Sequence, residues 1–226
     1  MLVAIDTSTD VASLALVKDK LTLAELTWHS GQNHTIQLLP NLTYLLKLVG
    51  DDTNALTGVI VAKGPGSFNG LRVGISTAKG LAFSLNIPIV GISSLEVEAY
   101  QYAETSLPVC PVFNASRGEV ATALYQKQTI GWRQLKEEHI ATVEKLCMET
   151  TEKTLFCGEY LPAISSQLVS RLGEKAVIAS PVTDLRRASY LAELGMIKIA
   201  AGETDNVATL QPAYLRRPSI TVAKHR

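Results

Sequence analysis

An α/β fold with mixed sheets covered by helices is predicted by three features of the sequence. Strand-like and helix-like apolar patterns alternate along the chain, as they do where helices cover a sheet. A glycine-rich stretch, Gly64-Pro65-Gly66-Ser67-Phe68-Asn69-Gly70, leads from a continuous apolar run into an amphipathic segment, which reads as strand, loop, helix. After Ser106-Leu107-Pro108 the pattern restarts in a form similar to its beginning. The 226 residues, 46% of them hydrophobic, suffice for one large domain or two of roughly 100 residues each. The restart divides the chain into halves, 1–105 and 106–226, with the tail expected to pack back on the first half.

Residues 2–6, 11–17 and 21–28 read as three strands of a meander, separated by Thr7-Ser8-Thr9-Asp10 and Lys18-Asp19-Lys20. Ile36, Leu38, Leu39, Leu42, Leu45, Leu46 and Val49 then recur at helical spacing around Pro40. A proline inside a helix costs ~3 kcal/mol, so a kink or a helix start is expected there. Residues 56–62 form a buried strand, 71–85 a helix, 87–91 a short strand and 93–104 a helix capped by Ser93 or Ser94. In the second half, 109–115 and 120–125 read as strands around Ser116-Arg117-Gly118-Glu119. Strands near 154–157 and 176–178 and helices near 142–151, 160–172 and 187–201 complete the prediction.

The two openings align. Ile5-Asp6-Thr7-Ser8 matches Phe113-Asn114-Ala115-Ser116, and residues 11–16 match 120–125 with one residue inserted. Polar-tipped hairpins look alike without common descent, so the match suggests an internal duplication and leaves chance similarity open.

Charge and cysteine usage exclude several classes. Basic and acidic residues number 21 each, so no broad cationic surface for nucleic acid is expected, and 6% aromatics leave little for base stacking. Cys110, Cys147 and Cys157 form an odd set without a CxxC pair, against a disulfide framework or thiolate zinc site. No apolar run approaches the ~18 residues of a membrane span, and no basic-then-apolar leader opens the sequence. A cytoplasmic location, with no membrane association, is the expectation.

The motifs are more specific. Residues 64–75, Gly64-Pro65-Gly66-Ser67-Phe68-Asn69-Gly70-Leu71-Arg72-Val73-Gly74-Ile75, resemble the GPGSFTGLRxG hallmark of the TsaB (YeaZ) family, with Asn69 where threonine is usual. His34-Thr35-Ile36-Gln37-Leu38-Leu39-Pro40, Ala115-Ser116-Arg117-Gly118-Glu119-Val120 and Gln211-Pro212-Ala213-Tyr214-Leu215-Arg216 are similar to the same family. The matches span almost the whole chain. The resemblance implies the actin/sugar-kinase/Hsp70 (ASKHA) fold of two related halves, each a mixed sheet with flanking helices. It further implies a non-catalytic subunit in bacterial synthesis of threonylcarbamoyladenosine beside the tRNA anticodon. The partner is then TsaD, which carries the active site, while TsaE joins through the TsaB–TsaD complex and tRNA is met mainly through that complex.

The resemblance also frames the candidate sites. In TsaD two histidines four apart on one helix hold the catalytic metal; the matching positions here are Ser94 and Glu98, a poor replacement, so no metal site is expected. No GxSxG elbow presents a nucleophile. The Gly64–Gly70 loop lacks the GK[ST] of a Walker loop and reads first as a tight turn. No cofactor is required, although the fold allows weak ATP or ADP binding near Asp6, Thr7 and Asn114; Asn114 stands where the family usually has aspartate, which removes a magnesium contact. Partner contacts are expected from two helices: His34, Leu38, Leu39, Leu42, Leu45 and Leu46 on one, Arg72, Ile75, Ala78, Leu81 and Ala82 on the other. One leucine row would serve the core and a second would dock TsaD, or a second copy of the chain when TsaD is absent. On that reading Leu42→Asp or Leu45→Asp abolishes docking. The basic end, from Arg216 to Arg226, is a candidate tRNA contact. The rival function is a stand-alone ASKHA-type ATPase or phosphotransferase.

Overall fold

Two five-stranded sheets carry the chain, and both follow one plan. The computed structural model describes residues 1–180 and 185–216. In the first sheet β1 (Leu2–Asp6), β2 (Val11–Lys18) and β3 (Leu21–His29) form an antiparallel meander, and β4 (Gly58–Ala62) and β5 (Ile89–Ile92) add in parallel on the other side of β1. The order is β3-β2-β1-β4-β5. The second sheet repeats it with β6 (Val109–Asn114), β7 (Glu119–Gln128), β8 (Gly131–Thr142), β9 (Thr154–Cys157) and β10 (Ala176–Ile178), in the order β10-β9-β6-β7-β8. The repeat of strand order and sense is the physical form of the restart seen in the sequence.

Register refines the alignment of the halves. Asp6 lies opposite Ser13 and Asn114 opposite Val120, so pairing equates Ser13 with Val120, whereas the sequence match sets it against Thr122. The offset is two residues. Because side chains alternate with period two, such a shift leaves every residue on its original face and is invisible to pattern matching.

Helices fill the connections in both halves. α1 (His34–Leu48) and α2 (Phe68–Leu85) flank β4, as α4 (Val143–Glu149) and α5 (Leu161–Leu172) flank β9. The next helix of each half then crosses to the other. α3 (Ser94–Tyr100) packs on β6 and β7, while α6 (Ala188–Ala200) packs on β1, β2, β4 and β5. Ala188, Leu191, Ala192 and Leu194 of α6 thereby bury the face of the first sheet turned away from α1 and α2. Where α3, α6 and β8 meet, Trp132 stacks on Tyr125 at 5.7 Å between centroids and meets Tyr100 edge-on at 5.3 Å.

Differences from the expected elements have local causes. α2 begins three residues earlier than predicted because Ser67 caps it, its hydroxyl accepting the Gly70 N–H. α3 ends at Tyr100 rather than 104, and Ser93 is its cap. α1 runs continuously through Pro40, which sits on the exposed side. β8 was not foreseen at all. It is an edge strand with a single buried residue, and its charged sequence lacks a clear apolar alternation.

The burial of α1 and α2 corrects the expected docking row. Leu38, Leu42, Leu45 and Leu46 all lie within one core cluster, at most 3% exposed, together with Ile75, Ala78 and Ala82, and Leu81 packs against it. Of the leucines assigned to a partner only Leu39 is exposed. Both leucine rows are inside because α1 packs against β2 and β3 and also against α2. Leu42→Asp and Leu45→Asp would therefore test folding instead of docking. Leu42→Ala is expected to cost about 2–5 kcal/mol in urea unfolding, since it empties a fully enclosed site; Leu39→Ala should change stability by less than about 0.5 kcal/mol.

Candidate functional site

The turn after β1 is held by α2. Thr7 Oγ1 donates to the Gly70 carbonyl at 2.7 Å, and Ser67 N–H donates to the Ser8 carbonyl at 2.7 Å. Backbone therefore meets backbone along this line. A Cβ on Gly66 would stand 2.2 Å from the Ser8 carbonyl oxygen, and one on Gly70 would stand 2.0 Å from that of Thr7. The glycines of the hallmark loop are thus explained by close approach, as the tight-turn reading expected. Gly70→Ala is expected to destabilise by about 2 kcal/mol or more, read from the urea midpoint, because the added methyl would overlap the Thr7 carbonyl, a backbone group fixed beside the helix.

Above this contact lies a cleft of about 900 Å³ between the two halves. Ser8, Thr9 and Asp10 form one rim with Pro65–Phe68; Asn114, Ser116 and Arg117 form the other. Residues 213–216 close one side, with Tyr214 stacked on Phe68 at 5.4 Å and Arg216 bonded to Glu119. Arg72, on α2, lies over the same Phe68 ring at 3.9 Å, a cation–π contact inside the chain.

The three residues proposed for nucleotide meet different fates. Asp6 is 2% exposed and does not line the cleft. Its Oδ1 accepts from the Ser8 N–H and hydroxyl, at 2.9 and 2.6 Å, and its Oδ2 accepts from Arg186 Nε at 3.0 Å. Thr7 is equally buried and committed to Gly70. Asn114 alone reaches the cleft; its Oδ1 accepts the Ser116 N–H at 2.8 Å, the counterpart of the Asp6–Ser8 bond in the first half. Arg186 was missed at the sequence level, where it read only as the residue before a helix.

Ser94 and Glu98 are also placed. Ser94 is fully buried, its hydroxyl accepting the Gly64 N–H at 3.2 Å, so it fastens the hallmark loop. Glu98 lies on the cleft floor and accepts from Gln101 at 2.7 Å. Among the described residues no group of three or more His, Cys, Asp or Glu is arranged to hold a metal ion. The three cysteines are free thiols, and no helix among the described residues is long and apolar enough to cross a membrane. The basic end from residue 217 onward lies outside the described residues.

His34, expected at a docking rim, is instead 4% exposed beneath Gly70. Neither ring nitrogen has a well-formed hydrogen bond. Burial lowers its pKa below the ordinary value, while the nearby Thr9 backbone, Asp10 and Asp6 pull weakly the other way. The folded protein thus holds the neutral ring, and the unfolded chain binds the proton more readily. Stability should be complete above pH ~6.5 and fall below it, by at most about 1.4 kcal/mol per pH unit from this group. A His34→Phe variant should lose that part of the decline between pH 6.5 and 5 in chemical denaturation.

The outward faces of α1 and α2 contrast with the cleft. Ile36, Leu39, Tyr44 and Leu48 of α1 lie outside its buried face, with exposures of 52–70%. Phe83 of α2 is 81% exposed, in the stripe that also carries Arg72 and Ser76. Both helices lie on the same side of the first sheet, so their exposed apolar side chains are presented on one side of the molecule.

Comparison with known proteins accords with this architecture. A family model described as TsaD, tRNA N6-adenosine threonylcarbamoyltransferase, matches residues 28–221. The Bacillus subtilis tRNA threonylcarbamoyladenosine biosynthesis protein TsaB is 34% identical over 95% of this chain and 93% of its own length. This chain belongs to the TsaB (YeaZ) group of the TsaD-like family. The Escherichia coli TsaB is 28% identical over 95% of the chain and 94% of its own. The solved structure of YeaZ from Pseudomonas aeruginosa superposes with a TM-score of 0.79 at 26% identity, covering 94% of this chain and 99% of that one. Two mixed sheets with flanking helices are therefore the ASKHA-type arrangement that the TsaB motifs implied.

Proposed function

We propose that this chain serves the synthesis of threonylcarbamoyladenosine in tRNA as a non-catalytic subunit that docks TsaD through the outward face of α1 and α2. The carrying observation is the set of exposed apolar side chains on the two helices, Ile36, Leu39, Tyr44 and Leu48 of α1 and Phe83 of α2, on the side of the first sheet that these helices cover. TsaB relatives named for this biosynthesis support the pathway. The chemistry of the cleft supports a subunit without turnover of its own: Ser94 stands bonded to the Gly64 loop, and Asp6 to Arg186. TsaE then reaches the chain through the TsaB–TsaD complex, and tRNA is contacted mainly there. In the absence of TsaD the same surface closes on a second copy.

Tyr44→Asp and Phe83→Asp change exposed residues, so both variants should keep the wild-type melting temperature. Each should weaken binding to purified TsaD at least ~30-fold, or about 2 kcal/mol, because an unpaired carboxylate enters an apolar seam. Titration calorimetry measures the affinity, and reconstituted threonylcarbamoyl transfer with and without the chain measures the role. Unchanged affinity in both variants, or transfer by this chain alone, overturns the proposal.

A further inference from the structure

The cleft floor also holds the partner of Asp6, Arg186. Arg186 is 7% exposed, and it precedes α6, the helix that packs on the first sheet. Its Nε donates to Asp6 Oδ2 at 3.0 Å and its Nη2 to Ser8 Oγ at 2.7 Å. Its guanidinium carbon lies 4.9 Å from the centre of the Phe113 ring. Asp6 ends the central strand of the first sheet, and Phe113 sits on the central strand of the second. One cation therefore touches the equivalent strand ends of both halves.

Its position relative to the cavity is equally informative. Arg186 lines the cleft and Asp6 does not, so the guanidinium stands between that carboxylate and the space where a ligand would enter. Glu98 and Glu159 line the cleft as well and favour a positive charge at this point. A carboxylate at the end of β1, open to the cleft, would be a natural seat for a divalent cation. Here the seat is filled from within the chain.

We propose that Arg186 is a built-in latch, a covalently tethered cation that covers Asp6 and joins the β1 turn to Phe113, holding the two halves together at the base of the cleft. The guanidinium suits this role better than lysine would, because its planar fork bonds the carboxylate and hydroxyl on one edge while a face lies near the ring. Removing it leaves Asp6 buried without its charge partner, and the two rims lose their common tether.

Hydrogen exchange of the full chain, followed by mass spectrometry, tests the latch because it reads each rim separately. In Arg186→Met, exchange in residues 7–10 and 114–118 is expected to rise together by at least about tenfold, with β4 and β9 changing less than about threefold. Phe113→Leu removes the ring contact but keeps the ion pair, so it should show a smaller rise in the same two turns, and it serves if Arg186→Met does not fold. Millimolar Mn²⁺ should leave exchange of the wild-type chain unchanged, since Asp6 is covered. Unaltered rims in the variants, a rise confined to one rim, or Mn²⁺-induced protection of residues 6–10 in the wild type would each overturn the proposal.

Discussion

Backbone contact between the turn after β1 and the first turns of α2 sets the geometry on which everything else is built. Gly66 and Gly70 place this helix so near Thr7 and Ser8 that no side chain fits between. Two short hydrogen bonds, Thr7 Oγ1 to Gly70 and Ser67 N–H to Ser8, then fix the orientation. The consequences run in both directions. Toward the cleft, the turn is presented as a rigid rim; toward solvent, α2 is set against α1 with Arg72, Ser76 and Phe83 outward. A loop that resembles an anion cradle is in this chain a joint.

The same economy occupies several of the polar side chains near the cleft with structural partners. Polar groups at the positions where reactivity would be sought already have structural partners. Asp6 is bonded to Ser8 and Arg186, Thr7 to Gly70, and Ser94 to Gly64. On α1, Ile36, Leu39, Tyr44 and Leu48 are exposed although the helix already buries a full face, and large apolar side chains left in solvent are a feature of assembly more than of folding.

Much of this was legible from residue order alone, for reasons that can be named. The meander, the buried β4 and the long α2 announce themselves because their apolar periods are strong and their ends carry turn residues. The hallmark loop identified the lineage because glycine at those spacings answers a steric demand. Three things escaped. β8 did so because an exposed edge strand has no hydrophobic face to advertise. The outward row of α1 did so because leucine counts do not say which row faces in; Leu38, Leu42, Leu45 and Leu46 turned out to share the core, leaving Ile36, Tyr44 and Leu48 outside. Arg186 escaped because its partners are about 180 positions away, and no local signal marks a contact of that range.

The exchange of helices between the halves bears on how the protein is made. The first sheet has five strands by residue 92, yet one of its faces stays bare until α6, ending at Ala200, has left the ribosome. During that interval Ala4, Ala15, Ile60, Val90 and Ile92 offer an unprotected hydrophobic wall to the growing chain and to chaperones. Neither half, released by proteolysis or by a premature stop codon, carries the helix that would seal it. Birth and assembly are for this molecule a single, late event.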